Sequence, residues 1–333
     1  MATAEIDDVK KLKRDKQSQQ KIMSPGQLVL RRFMKNKLAI CGLVIIIAVV
    51  LFCFVGPLFA PYGEYEIFYI DTNTGEEISM YDTEGIKSPG VGVNVKAPIS
   101  SKHLLGTDAD GRDVFTRLMY GGQISLQFSI AVTAIELIIG VTLGAVAGYF
   151  GGKIDMLIMR FVEIFYCIPF LPMMLIVSAF MMAFGIMPED KIYYLMLIMG
   201  VFNWAGVARM VRGQMLTIRE TEYMYAAKAA GLGVPRQIFR HMLPNAIPTI
   251  IVMATMDLGS FILTESTLSY LGVGLAFPYA SLGNMVNAVN KSVIMRNYLN
   301  IWLPPGLLIL AIVMAFNFIG DGLRDAFDPK GRR

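Results

Sequence analysis

The chain has 333 residues, of which 55% are hydrophobic and 17% charged, with a formal net charge of +4. Soluble domains carry about 25% charged residues, so the composition excludes an ordinary soluble protein and points to a membrane. The small positive excess sits where membrane topology requires it, which leaves a nucleic-acid partner unsupported.

Residues 1–37 hold ten Lys and Arg, the excess expected of a cytoplasmic flank. Within them SPGQLVLRRFMKNK (24–37) begins with Ser24 as a helix cap, Pro25 at the first helical position and Gln27 completing a capping box. Leu28, Leu30, Phe33 and Met34 among four basic residues predict a short amphipathic helix on the inner leaflet, so membrane lipids are an expected partner. Residues 38–63 contain no Asp, Glu, Lys or Arg, more than the roughly 20 residues that cross a bilayer core. That run is too long for a signal-peptide core and is expected to stay as an anchor.

Residues 62–120 carry five basic and ten acidic side chains, which reads as external. Segment 62–102, with extended pieces YEIFYI and VGVNVKAPI, predicts a loop or small excursion, not an independent domain. In HLLGTDADGRDVFTRLMYGG (103–122), Asp108, Asp110 and Asp113 suggest calcium. An EF-hand needs Glu at position twelve, however, and Met119 stands there, which favours a capped interfacial helix.

Further apolar runs at 124–150, 161–184, 192–208, 246–270 and 297–320 bring the predicted spans to six. None alternates with period two, so they should be helices. Cys41, Cys53 and Cys167 fall inside spans, the first two roughly 18 Å apart on one helix, which excludes a disulfide between them. With only His103 and His241, on opposite sides of the predicted membrane, no metal site is expected. Glu163, three residues after Arg160, predicts a helical pair.

Glu136, Asp257 and Glu265 lie deep in predicted spans, where a charge costs at least about 2.5 kcal/mol unless it faces protein or water. Two readings stay open: a proton or cation relay, or acids that cap helices, bond to hydroxyls and edge a watery path.

Between the fourth and fifth spans, EYMYAAKAAGLGVPRQIFRHMLPNAIP (222–248) is polar and broken. Residues 218–230 predict a helix, Gly231 and Gly233 stop it, and Pro235 opens a second short helix with Ile238, Phe239 and Met242 on one face. Pro244 and Pro248 punctuate the return into the membrane. Ala226, Ala227, Ala229 and Ala230 form a smooth flank, while Tyr223, Tyr225, Ile238 and Phe239 are bulky groups without an internal core. Such a knob suits docking of a soluble partner; a hairpin on the inner leaflet is the alternative.

These residues resemble the permease subunits of bacterial ATP-binding-cassette importers, in particular the C-type subunit of oligopeptide, dipeptide and nickel systems. The family signature is E-A-A, three residues, G, nine residues, I-x-L-P. Here stand Tyr225-Ala226-Ala227, Gly231 and His241-Met242-Leu243-Pro244, departing at the Glu and the Ile. ESTLSYLGVGLAFP with SLGNM, and NFIGDGLRDAFDP near the end, extend the likeness.

The resemblance implies an all-α, six-helix fold of the type I importer permease. Its parts would be a cytoplasmic segment 1–37, a first membrane helix 38–61, an external loop 62–120, a core 121–320 of five membrane helices with a coupling loop 213–245, and a cytoplasmic tail 321–333. It implies an oligopeptide or dipeptide path shared with a homologous second permease, two cytoplasmic ATPase subunits, and a solute-binding protein docking on 103–122 and 271–298. Tyr225, Ala226, Ala227, Gly231, Leu243 and Pro244 would form the coupling element, with Glu222 a candidate substitute for the missing acid. ATP and Mg would bind the ATPases, because this chain has no phosphate-cradling G-x-x-x-x-G-K-[ST] loop; no cofactor and no catalytic residue are expected here. The alternatives are an ion-coupled secondary transporter and a permease for nickel or another solute.

Overall fold

Local chemistry sets the first helix of the computed structural model, which describes residues 24–275 and 278–328. Ser24 Oγ accepts the Gln27 N–H and Gln27 Oε1 accepts the Ser24 N–H, so the predicted capping box closes over α1, Pro25–Phe33. Phe33 turns inward against Ala39 and Ala326, while Leu28, Leu30 and Met34 stay exposed. Arg32 donates to the Asp328 carbonyl at 2.9 Å, tying α1 to the far end of the chain. The basic residues before Ser24 and after Asp328, and Ala276 and Phe277, lie outside the described residues.

Asn36 caps α2, Lys37–Leu58, by accepting the Leu38 and Ala39 N–H groups. After it the chain forms a three-stranded antiparallel sheet, β1 (Phe68–Asp71), β2 (Glu77–Ser79) and β3 (Val91–Val93), in the order β2-β1-β3. Tyr69 pairs with Ile78 on one side and Val93 on the other. The fold is mostly helical, as expected, and the extended pieces YEIFYI and VGVNVKAPI pair with each other in the small external excursion, satisfying part of their backbone.

The bundle follows: α3 (Val114–Phe150), α4 (Gly152–Cys167), α5 (Phe170–Ala183), α6 (Pro188–Arg219), α7 (Glu222–Ala229), α8 (Val234–Tyr270), the short α9 (Leu282–Val286) and α10 (Ser292–Asn297), and α11 (Leu299–Phe327). α2, α3, α6, α8 and α11 are each long and apolar enough to cross a membrane. The run at 161–184, expected as one span, falls on the pair α4 and α5, bent by 79°. Pro169 lacks an N–H and disfavours helix at the preceding residue, and Ile168 takes an extended ψ of 117°. Counted as one crossing, the pair makes six.

α3 and α6 share the most extensive contact in the bundle. Gly140, Gly144 and Gly148 recur every fourth residue on α3, and a Cβ at each would lie 2.5–2.6 Å from Val207 Cβ, the Ala208 carbonyl or Met215 Cβ. Small residues at this spacing let two membrane helices touch backbone to backbone, the main source of packing energy where lipid removes the hydrophobic drive.

The bundle has two unlike ends. One gathers α1, the α3–α4 turn, α7 with its flanking loops, and the end of α11. The other gathers the sheet, the start of α3 and residues 278–300.

Candidate functional site

α7 is set apart from α6 by a break at 220–221. The expected helix over 218–230 is thus two pieces, with Ile218 and Arg219 ending α6 and Thr221 extended at ψ 150° before α7. α7 ends in a Schellman turn: the Leu232 N–H reaches the Ala227 carbonyl at 3.2 Å and the Gly231 N–H reaches that of Lys228 at 3.0 Å. Gly231 holds φ +73°, left-handed backbone that a side chain strains.

Beyond it, α8 runs without interruption from the elbow into the membrane, so the separate second short helix is really the first turns of a span. A wide turn at Gln237–Met242 re-phases it. In consequence Ile238 and Met242 face inward while Phe239 is 69% exposed, which corrects the expectation of one shared face. Ile238 therefore has a core to enter after all.

That core joins Met215 and Ile218 of α6, Met224 of α7, and Ile238, Met242 and Ala246 of α8. Ala227 also turns inward, and so leaves the smooth flank it was expected to share with Ala226, Ala229 and Ala230. Gln237, unnoticed in the sequence, is buried beneath the turn. Its Nε2 donates to the Leu232 carbonyl at 2.6 Å and its Oε1 accepts from Tyr149 Oη at 3.0 Å. Arg219 donates to the Tyr149 carbonyl at 3.1 Å. The Asp155 carboxylate pairs with Arg212 nearby.

The outward face holds Glu222, Tyr225, Ala226, Gly231 and Pro244, all exposed, with Leu243 half-buried. Tyr223, Tyr225 and Phe239 project from it. Glu222 makes no ion pair among the described residues, whereas Lys228 lies 5.8 Å from the Tyr225 ring centroid. Asn245 Nδ2 bonds both Tyr223 Oη and the His241 carbonyl, bracing the return.

The three intramembrane acids fall into two groups. Glu265 accepts from Ser125 Oγ at 3.0 Å and Ser269 Oγ at 2.7 Å, and Ser125 Oγ also accepts the Leu282 N–H. It knots α3, α8 and α9 together. Glu136 on α3 and Asp257 on α8 instead bring their carboxyls within hydrogen-bonding reach of each other. Glu136 Oε1 and Asp257 Oδ2 have no partner. Both line a partly open cavity of 430 Å³ at the α4–α5 bend, with Phe165, Tyr166, Phe202 and Asn203. Asp257, Ser260, Thr264 and Thr267 recur at helical spacing, giving α8 a polar stripe.

At the other end, Asp108 accepts from Arg112 and Arg117, Asp110 from Arg112, and Asp113 caps α3 through the Thr116 N–H. The acids that suggested calcium are spent on arginines and the cap, as the interfacial-helix reading requires. Arg112 and Arg117 both donate to the Pro278 carbonyl, joining the loop before α3 to that before α9. A cavity of 390 Å³ lies between these segments, lined by Asp110, Arg112, Asn284, Asn287 and Lys291 among others. Glu163 pairs with Arg160 at 2.7 Å.

A six-crossing helical bundle with a structured elbow at one end and joined loops at the other defines a multi-pass membrane component of a transport system. Residues 140–333 match the family described as binding-protein-dependent transport system inner membrane component, and the chain belongs to that family. Residues 24–75 match the N-terminal TM domain of oligopeptide transport permease C. The chain is 36% identical over 311 residues to the dipeptide transport system permease protein DppC of Bacillus subtilis, covering 93% of this chain and 88% of that protein. It is 36% identical over 302 residues to the oligopeptide transport system permease protein OppC of Haemophilus influenzae, covering 91% and 88%. To the OppC of Bacillus subtilis it is 33% identical over 313 residues, covering 94% and 92%.

Proposed function

We propose that this chain is half of the peptide path of an ATP-driven importer and receives its motive force through the elbow. Family membership and relatives named for dipeptide and oligopeptide transport support that cargo. A homologous second permease would complete the path, and two cytoplasmic ATPase subunits would bind ATP and Mg. A solute-binding protein would dock on the joined loops around Arg112 and Lys291, and lipid would meet Leu30 and Met34 on α1. The chain itself would be a transport subunit without catalytic residues. Lys and Arg in the segments 24–37 and 209–240 support a cytoplasmic position for the elbow end.

The observation that carries the reading is the elbow's two-sidedness. Its inner side is locked to α6 and α8 by Met215, Met224 and Met242, while Glu222, Tyr225, Ala226 and Phe239 on its outer side are exposed. A partner seated there would move two spans at once, a rigid-body switch between inward-open and outward-open states.

Replacing exposed Ala226 by Trp tests this. The variant should insert and melt as wild type does, yet fail to co-purify with the ATPases. Gly231→Pro, or deletion of 225–231, should have the same effect on assembly. Normal assembly and transport by all three would overturn the role of the elbow.

A further inference from the structure

Among the acids that the described structure buries or half-buries within the bundle, Glu136 and Asp257 alone are unspent. Glu265 is saturated by serines and Asp155 by Arg212. Glu136 is 2% exposed, its Oε1 has no partner, and it lines the 430 Å³ cavity. Asp257 adds a second unpartnered oxygen, and neither carboxyl forms an ion pair among the described residues. Paired carboxylates repel each other in a low-dielectric setting, and a cation with several N–H donors placed between them relieves that repulsion.

The remaining lining narrows the class of cation. Phe165, Phe170 and Phe202 line it with aromatic rings, which attract organic cations, and the neighbouring Tyr166 ring already holds one, the Arg209 guanidinium 4.3 Å from its centroid. No third His, Cys, Asp or Glu joins the pair among the described residues, so a divalent ion, which takes six or more oxygen ligands, would find only two carboxylates here. The cavity falls within the roughly 300–1,000 Å³ of small-ligand sites, room for one end of a peptide.

We infer that Glu136 and Asp257 form a transient binding site for a primary ammonium group of the passing peptide. The inference rests on the peptide-import reading above. The site lies beside the bend at Ile168–Pro169 and on the polar stripe of α8, where a solute between two permease subunits would meet it.

The test uses the whole transporter with its binding protein in proteoliposomes, supplied with Ala-Ala, N-acetyl-Ala-Ala or N-acetyl-Ala-Lys. The binding protein is common to every variant, so the ratio of variant to wild-type rate for one peptide cancels its own selectivity. E136Q combined with D257N should slow Ala-Ala by roughly tenfold or more, the weight of a charged hydrogen bond, and leave N-acetyl-Ala-Ala unchanged. A matching loss with N-acetyl-Ala-Lys assigns the site to any primary ammonium; its absence assigns it to the α-ammonium alone. Equal losses for all three peptides would mean that the acids only hold helices together, and no loss would mean that they do nothing in transport; either overturns the inference. Asp257→Asn alone, read by the same ratio, keeps the test valid if the double variant assembles poorly. A wild-type transporter that moves none of these peptides overturns the cargo reading and this site with it, a result distinct from selective loss in the variants.

Discussion

The sealed parts of the bundle, the α3–α6 contact and the serine knot around Glu265, differ from the open cavity around Glu136 and Asp257 in how polar groups are satisfied. Knot and cavity both bury acids among apolar helices, but the knot leaves its carboxyl oxygens partnered and the cavity does not. Burial alone is thus a poor sign of function; the informative quantity is which polar groups remain unsatisfied.

The contrast can be broken most sharply at the glycine contact. Gly144→Leu would place a side chain 2.6 Å from the Ala208 carbonyl, and overpacking of this kind should cost about 3 kcal/mol, read as a lower melting midpoint in detergent. Gly213→Ala is its control, because nothing lies within 4 Å of that position; it should be neutral or gain up to about 1 kcal/mol in helix propensity. Glu265→Leu strands two serine hydroxyls and should cost about 2 kcal/mol by the same assay. At the open cavity, Glu136→Gln should leave the melting midpoint unchanged or raise it, since the amide keeps a donor for Asp257 and the repulsion between the two acids is removed. A large destabilisation there would erase the distinction between the two regions.

The smallest effect is expected at the sheet, which lies outside both regions. Burial pushes the Glu77 carboxyl up, but hydrogen bonds and charge from His103, with help from Asn94 and Lys102, outweigh it and hold the group below its usual range. His103 bridges Glu77 Oε1 at 2.7 Å and Asp113 Oδ1 at 2.8 Å. A depressed carboxyl stabilises the fold above its unfolded value, about 4.3, and that contribution is lost as pH falls through the lower folded value. Hydrogen exchange of β1 and β2 should therefore quicken below about pH 4, and Glu77→Gln should abolish that dependence.

Much of the bundle is legible in the sequence because a membrane span needs only length and a lack of charge, and caps such as Ser24 and Asp113 are local. Helix ends are less so: α6 runs from Pro188 to Arg219, well beyond the uncharged stretch at 192–208, since charged residues such as Glu189 and Arg212 are good helix formers once outside the hydrocarbon. The bend at 168–169 was announced only by Pro169. Phe239 and Ala227 were misassigned to faces because a wide turn and a break before Glu222 shift the phase that a regular period assumes. The Glu136–Asp257 pairing had no sequence signal, as no periodicity links residues on different helices. The glycines at 140, 144 and 148, and the stripe through Asp257, Ser260 and Thr264, were readable by spacing alone.

α8 begins as the second arm of the elbow and ends beside Glu265. Phe239 and Asp257 thus ride on one rod, about 27 Å apart at 1.5 Å per residue. With the serine knot as fulcrum, a tug on the rim of the protein would become a tilt further along the rod, and on the proposed reading the stroke that rocks the lever would also open or shut the carboxyl pincer on its cargo.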